Sequence, residues 1–295
     1  MSKFRGLGIA IITPFNKQLD IDFEALGHLI EYWISDNADY LIVMGTTGES
    51  ATLEPDEKKE LISFCVNKIK NRVPLVVGIG GNNTRQVIRS LETLDVQGIS
   101  GILSVAPYYN KPNQEGLYQH FKLIAETSPL PIILYNVPSR TGSNMLPVTT
   151  LRLARDFEKI VGIKEASGNL DQITEIIKER PSNFLVISGD DNLTFPLMAL
   201  GADGLISVVA NAFTKEYAQM VKALFENNIQ TARRIHLRHF RLVQLLFADG
   251  SPGGIKYILR KKELCEDYVR PPLWEINDDT KRKIDLELIK LNPSG

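Results

Sequence analysis

The run Ile160-Val161-Gly162-Ile163 ends on Lys164, a lysine placed where its side chain can do covalent chemistry. If the run is a buried strand, desolvation disfavours an ammonium at its end and favours free amine. The free amine is the form that attacks a carbonyl carbon. The competing explanation is an ordinary ion pair with a neighbour such as Glu165. Strand alternation sends Glu165 to the opposite face, so it is a poor partner. Position alone leaves both explanations standing.

Other polar groups follow apolar runs in the same way. Gly45-Thr46-Thr47-Gly48-Glu49-Ser50 packs glycines and hydroxyls behind one run. The glycines permit a tight turn with N–H groups aimed inward, a site for a carboxylate or phosphate, or simply a short connection to the next helix. It is no P-loop, because no Gly-Lys-Ser/Thr follows. Tyr109 and Tyr135 close two further runs, so their phenols either converge on one pocket or are buried rings bonded to backbone. Arg140, in Pro138-Ser139-Arg140-Thr141-Gly142, has the fork to hold a carboxylate, or is an exposed loop arginine with no specific contact. His236 and His239 have helical spacing but no third metal ligand nearby. Gly78-Ile79-Gly80-Gly81-Asn82-Asn83 lacks the last glycine and the acid of a dinucleotide site.

The elements that must position these groups alternate from the start. Strands are expected at Gly8–Ile12, Tyr40–Met44, Leu75–Val77, Gly101–Val105, Ile132–Tyr135, Ile160–Lys164, Phe184–Ser188 and Gly204–Val208. Amphipathic helices follow them, including Phe23–Asp36, one opening at Pro55-Asp56-Glu57, and Thr214–Asn227. The strands are continuously apolar, as in a parallel sheet covered on both faces. Eight near-equal units in about 225 residues predict an α/β fold, a closed (β/α)8 TIM barrel whose active site lies at the C-terminal strand ends. Helices alone follow, at Thr231–Phe247, Gly254–Lys262 and Thr280–Leu291. The expected division is a catalytic barrel over residues 1–227 and a C-terminal helical extension over 228–295.

Composition narrows the function. The 295 residues carry a net charge of −1, with 43% hydrophobic and 23% charged residues. No global field gathers nucleic acid or anionic lipid. The basic run Arg233, Arg234, Arg238 and Arg241 reads as a solvated helix face or subunit contact. Cys65 and Cys265 lie in helical patterns far apart, without disulfide or zinc spacing, which suits a reducing cytoplasm. Met1–Gly6 lacks the apolar run of a secretory signal, and no stretch approaches the roughly 20 apolar residues that span a bilayer.

Gly45-Thr46-Thr47-Gly48-Glu49, Tyr135-Asn136-Val137-Pro138 and Gly162-Ile163-Lys164-Glu165 together resemble a family of pyruvate-dependent class I aldolases. That family includes N-acetylneuraminate lyase and dihydrodipicolinate synthase. The likeness runs over essentially the whole chain and is greatest to the dihydrodipicolinate synthase branch. Pro107-Tyr108-Tyr109-Asn110-Lys111-Pro112, Gln114-Glu115-Gly116-Leu117-Tyr118 and Ser188-Gly189-Asp190-Asp191 support it. The resemblance implies that Lys164 forms an imine with pyruvate, whose enamine attacks aspartate semialdehyde. It implies a proton relay of Thr46, Tyr135 and Tyr109, with Tyr109 reaching into a second subunit of a dimer-of-dimers homotetramer. Thr47 and its amide would bind the pyruvate carboxylate, Arg140 the semialdehyde carboxylate, and the backbone of Gly189 and Ile206 would shape the pocket. No metal, nucleotide or other organic cofactor is implied.

Two other functions stay open. Sugar-acid or other 2-oxo-acid aldolases share the scaffold, but Asn192 stands where their Gly-x-Asp-Glu pattern has glutamate. A non-catalytic 2-oxo-acid-binding paralogue would lack the lysine or a relay member, and none is missing. The family's lysine-inhibited members bind lysine in a dimer-interface pocket. Ser50, Ala51, Asn82 and Tyr108 match that pocket, whereas Pro55, Lys58 and Gln86 replace its histidine pair and glutamate. Gln86 lacks a charge for the ligand's ammonium and Lys58 repels it, so weak or absent lysine feedback is expected.

Overall fold

The short apolar runs form eight strands: β1 Gly6–Ala10, β2 Tyr40–Val43, β3 Leu75–Gly78, β4 Gly101–Val105, β5 Ile132–Asn136, β6 Ile160–Glu165, β7 Leu185–Ser188 and β8 Gly204–Ser207. In the computed structural model, which describes residues 3–291, they close a barrel in chain order. Met1 and Ser2 of the N-terminal segment, and residues 292–295 of the expected extension, lie outside the described residues. Neighbours pair in parallel, and almost every strand residue is buried, which is why the runs show no alternation.

The helices are α1 Phe23–Ser35, α2 Pro55–Ile69, α3 Thr84–Glu92, α4 Gln114–Thr127, α5 Pro138–Thr141, α6 Pro147–Asp156, α7 Leu170–Glu179, α8 Thr194–Ala199, α9 Thr214–Phe225, α10 Ile229–Phe247, α11 Gly253–Lys261 and α12 Asp278–Leu291. Side-chain oxygens of Asp22, Asn83, Asn113, Asn169 and Asn228 cap five of them. A capping box of Glu54 and Glu57 opens α2, with Pro55 in its first turn. No helix among the described residues is long and apolar enough to cross a membrane.

Several bounds differ from expectation for local reasons. β1 starts two residues early, with the Asp39 N–H donating to the Leu7 carbonyl at 2.9 Å, and stops two residues early, because the Ile12 N–H goes to the Asn211 side chain at 3.1 Å. β2 stops at Val43, since Met44 turns to φ 59°. Cys265 is not helical; it follows α11 in irregular chain, where an expected helical pattern has already ended. Burial pushes both cysteine thiols up to about 12, which keeps them as protonated thiols.

Two compact units share the chain. Among the described residues, one comprises residues 3–5 with Pro74–Ile206, and the other comprises Gly6–Val73 with residues 207–291. In the second unit, α10 packs against α9 and α12. Arg238 donates to the Leu291 carbonyl, and His239 is buried edge-on to the Phe213 and Tyr217 rings.

Candidate active site

β6 carries one residue more than β5. Ile132 pairs with Ile160, yet Ile133 pairs with Gly162, so Val161 bulges out of register. Beyond the bulge Tyr135 faces Lys164, and Asn136 faces Glu165. Paired residues of parallel strands share a face, so Tyr135 and Lys164 point into the barrel together. Were Val161 to take a place in the ladder, Lys164 would pair with Asn136 on the outer face. Both inward side chains are buried, Lys164 at 5% exposure, and Lys164 Nζ lies 4.4 Å from the Tyr135 ring centroid.

The outward residues explain what fixes this pair. Glu165 is fully buried and turned away from Lys164, as alternation requires. Its Oε1 accepts from the Ser167 N–H at 2.8 Å, and its carboxylate accepts from Asn136 Nδ2 and from Gln172 Nε2 of α7, each at 3.2 Å. Burial pushes this carboxyl above its ordinary range, while the Ser167 and Asn136 hydrogen bonds work against the rise. Asn136 Oδ1 accepts from the Met145 N–H at 3.0 Å, and Asn144 exchanges amide hydrogen bonds with Asn136 and Gln172. The residues that follow Tyr135 and Lys164 are thus locked to one another and to α7. Sequence reasoning assigned them no role, although the Asn and Glu stand directly behind the two chemical groups.

Gly189, after β7, donates its N–H to the Glu165 carbonyl at 2.8 Å. An added Cβ there would lie 3.0 Å from Lys164 Cγ and Cε, so only glycine leaves the lysine its room. Ile206 is buried on β8. Tyr109 and Arg140 sit on adjoining loops joined by a Tyr109 N–H to Thr141 carbonyl bond of 3.3 Å. Arg140 is exposed on α5, and Tyr109 is 88% exposed with φ 72°, held outward in a left-handed conformation. Among the expected regulatory residues, Tyr108 and Gln86 are exposed, and Asn82 is tied to the Tyr109 loop through its carbonyl and Asn110 Nδ2 at 3.0 Å.

The other unit carries the Gly45–Ser50 turn. Gly48 donates to the Gly45 carbonyl and Glu49 to the Thr46 carbonyl, both at 3.1 Å, with Thr46 exposed and Thr47 buried. The left-handed residues are Met44 and Glu49 rather than the glycines. Gly48 is needed for close approach, since a Cβ would lie 3.2 Å from the Ile11 carbonyl oxygen. Thr13 Oγ1 donates to the Gly48 carbonyl at 2.7 Å. Ser50 and Ala51 open a short 3-10 turn, Pro55 starts α2, and Lys58 is half-buried one turn later.

An ion pair that sequence reasoning missed holds this turn from behind. Lys256 of α11 donates to Glu49 Oε1 at 2.5 Å and to the Tyr268 carbonyl at 2.7 Å. Glu49 Oε2 accepts from the Arg270 N–H at 2.9 Å. Burial pushes the Lys256 ammonium down, opposed by the Glu49 charge. The signal was a lone lysine inside the apolar run Gly254-Ile255-Lys256-Tyr257-Ile258-Leu259.

Comparison with known proteins places these features. Residues 3–290 match the model of the dihydrodipicolinate synthetase family. The 4-hydroxy-tetrahydrodipicolinate synthase of Parabacteroides distasonis is 50% identical over 280 residues, which span 95% of this chain and 94% of that protein. The enzyme of the same name from Flavobacterium psychrophilum is 47% identical over 286 residues, covering 97% and 98%. The solved dihydrodipicolinate synthase of Thermotoga maritima superposes with a TM-score of 0.96 at 38% identity, covering 99% of each chain.

Proposed function

The chain belongs to the dihydrodipicolinate synthetase family, and on that ground we propose that it condenses pyruvate with L-aspartate 4-semialdehyde. The product is 4-hydroxy-tetrahydrodipicolinate, on the route to diaminopimelate and L-lysine. The observation that carries this reading is Lys164, a buried amine beside the Tyr135 ring, with the adjacent carboxylate turned away.

The chemistry follows from that amine. Its lone pair adds to the pyruvate carbonyl, and loss of water gives an iminium ion. A methyl proton leaves to form the enamine, whose carbon adds to the aldehyde, and the aldehyde oxygen takes a proton. The amino group of the second substrate then attacks the imine carbon, closing the ring and expelling Lys164. One water is released overall. Thr46, Tyr135 and Tyr109 move the protons. Thr47 and its amide hold the pyruvate carboxylate, Arg140 holds the semialdehyde carboxylate, and the backbone of Gly189 and Ile206 bounds the pocket.

The exposed, outward-held Tyr109 supports a site completed by a second subunit, in a homotetramer built as a dimer of dimers. Residues 1–227 are the catalytic barrel, 228–295 are the helical extension, and the enzyme works in the cytoplasm. Ser50, Ala51, Asn82 and Tyr108 match a lysine pocket in which Pro55, Lys58 and Gln86 replace the ligand-holding residues, so lysine feedback is weak or absent. Inhibition by submillimolar lysine would reject that last statement.

The decisive test is borohydride reduction in the presence of pyruvate, followed by peptide mapping. A stable adduct on Lys164 and loss of nearly all coupled activity in Lys164→Ala are expected. An adduct on another lysine would overturn the mechanism. Faster cleavage of N-acetylneuraminate than condensation would transfer the chain to the sugar-acid branch.

A further inference from the structure

We infer that Lys256, acting through Glu49, is a positioning residue for the Thr46–Thr47 turn, so that the C-terminal helices help to hold pyruvate. The inference rests on the proposed role of that turn as the pyruvate carboxylate site.

Five observations carry it. Both side chains of the pair are fully buried at 2.5 Å separation. Removing two charges from water offsets most of their attraction, so such a pair adds little to stability over an apolar replacement. Its contribution is geometric. Both Glu49 oxygens are engaged, one by Lys256 and one by the Arg270 N–H, so the carboxylate cannot rotate.

Glu49 also sits at φ 53° and ψ 35°, a left-handed conformation that a non-glycine residue keeps only when its surroundings hold it there. The Glu49 N–H donates to the Thr46 carbonyl, so any relaxation of Glu49 is passed to Thr46 and Thr47. The far side of the turn is pinned by the same C-terminal segment. Arg270 Nη1 donates to the Thr52 carbonyl at 3.1 Å, and its guanidinium pairs with Glu57. Lys256 itself, fully buried and paired, is no rival to Lys164 as the amine that meets substrate.

The test compares Lys256→Met with the double variant Lys256→Met/Glu49→Gln. The single variant strands a buried carboxylate and should melt early, whereas the double variant removes both charges and should recover the parent's melting temperature. Stability and positioning then separate. In the double variant the pyruvate KM is expected to rise about tenfold, while the aldehyde KM stays within about twofold, since tenfold in a binding constant is a modest geometric loss. A double variant with the parent's pyruvate KM overturns the inference, as does a KM that recovers together with stability. Borohydride labelling of the parent by pyruvate separates the two failures. If the parent does not label at Lys164, the proposed function has failed; if it labels and the KM does not move, only this inference has.

Discussion

Replacing Gly189 by alanine probes the tightest restraint on Lys164. The new Cβ would lie 2.9 Å from the Ala166 Cβ and 3.0 Å from Lys164 Cγ and Cε. Carbon atoms pack at about 3.5–4.0 Å, so some 0.5–1 Å must be found. It cannot come from β7 moving off β6 without losing the 2.8 Å bond from the Gly189 N–H to the Glu165 carbonyl. Ala166 is a short side chain fixed to its backbone. The lysine chain is therefore what yields. Overpacking of this kind destabilises by about 1–3 kcal/mol, and displacing a reacting group by about 1 Å lowers its rate by about 10²-fold. The measurements are the melting temperature, kcat by coupled assay, and the rate of pyruvate-dependent borohydride trapping at Lys164. We expect kcat and trapping to fall together, by about ten- to a hundredfold. Wild-type kcat in a folded variant would refute the reasoning. A fall in kcat with unchanged trapping would place the damage elsewhere.

Three further outcomes are expected. Glu165→Gln sets a new donor against those of Asn136, Gln172 and Ser167, so unfolding free energy should drop by about 1–3 kcal/mol in chemical denaturation; an unchanged midpoint would dismiss the network. Mixing inactive Tyr109→Phe and Lys164→Ala subunits should restore about a quarter of the sites, because half the dimers are hybrids with one intact site each; no recovery after verified subunit exchange would mean that Tyr109 serves its own subunit. Burial pushes His120 from 6.5 down to about 4, so its neutral form stabilises the fold fully above pH 6.5. As pH falls towards 4 the unfolded chain takes up that proton first, and about 3 kcal/mol is lost. His120→Gln should flatten stability across that window, and a pH profile parallel to the parent's would reject the assignment.

The barrel was legible because each strand is buried on both faces and reads as an unbroken apolar run, and the chemical groups were legible because they stand at the ends of those runs. The same burial hid the bulge. With Ile160, Gly162 and Ile163 apolar or small on every side, no alternation marks Val161 as the extra residue. Glu49 and Lys256 escaped notice for another reason: they are 207 residues apart, and neither has a charged neighbour to suggest a pairing. The turn misled in its detail. Its glycines were expected to permit the tight turn, yet the left-handed residues are Met44 and Glu49, and packing against Ile11 and Thr13 reserves Gly48 for space.

The register of β6 beyond its bulge also limits how this gene can change length. Loops before the strands, at the other end of the barrel, can gain or lose codons without moving the chemical groups. Loss of Val161 would only straighten β6 and leave Lys164 opposite Tyr135, but loss of Gly162 or Ile163 with the bulge kept would draw the rest of β6 back by one position, carrying the amine into the helix layer and the Glu165 carboxylate into the barrel. Lys164 and Glu165 are adjacent, so a frame-preserving deletion would exchange amine for acid without replacing either residue. In that strand, register is inherited along with residue identity.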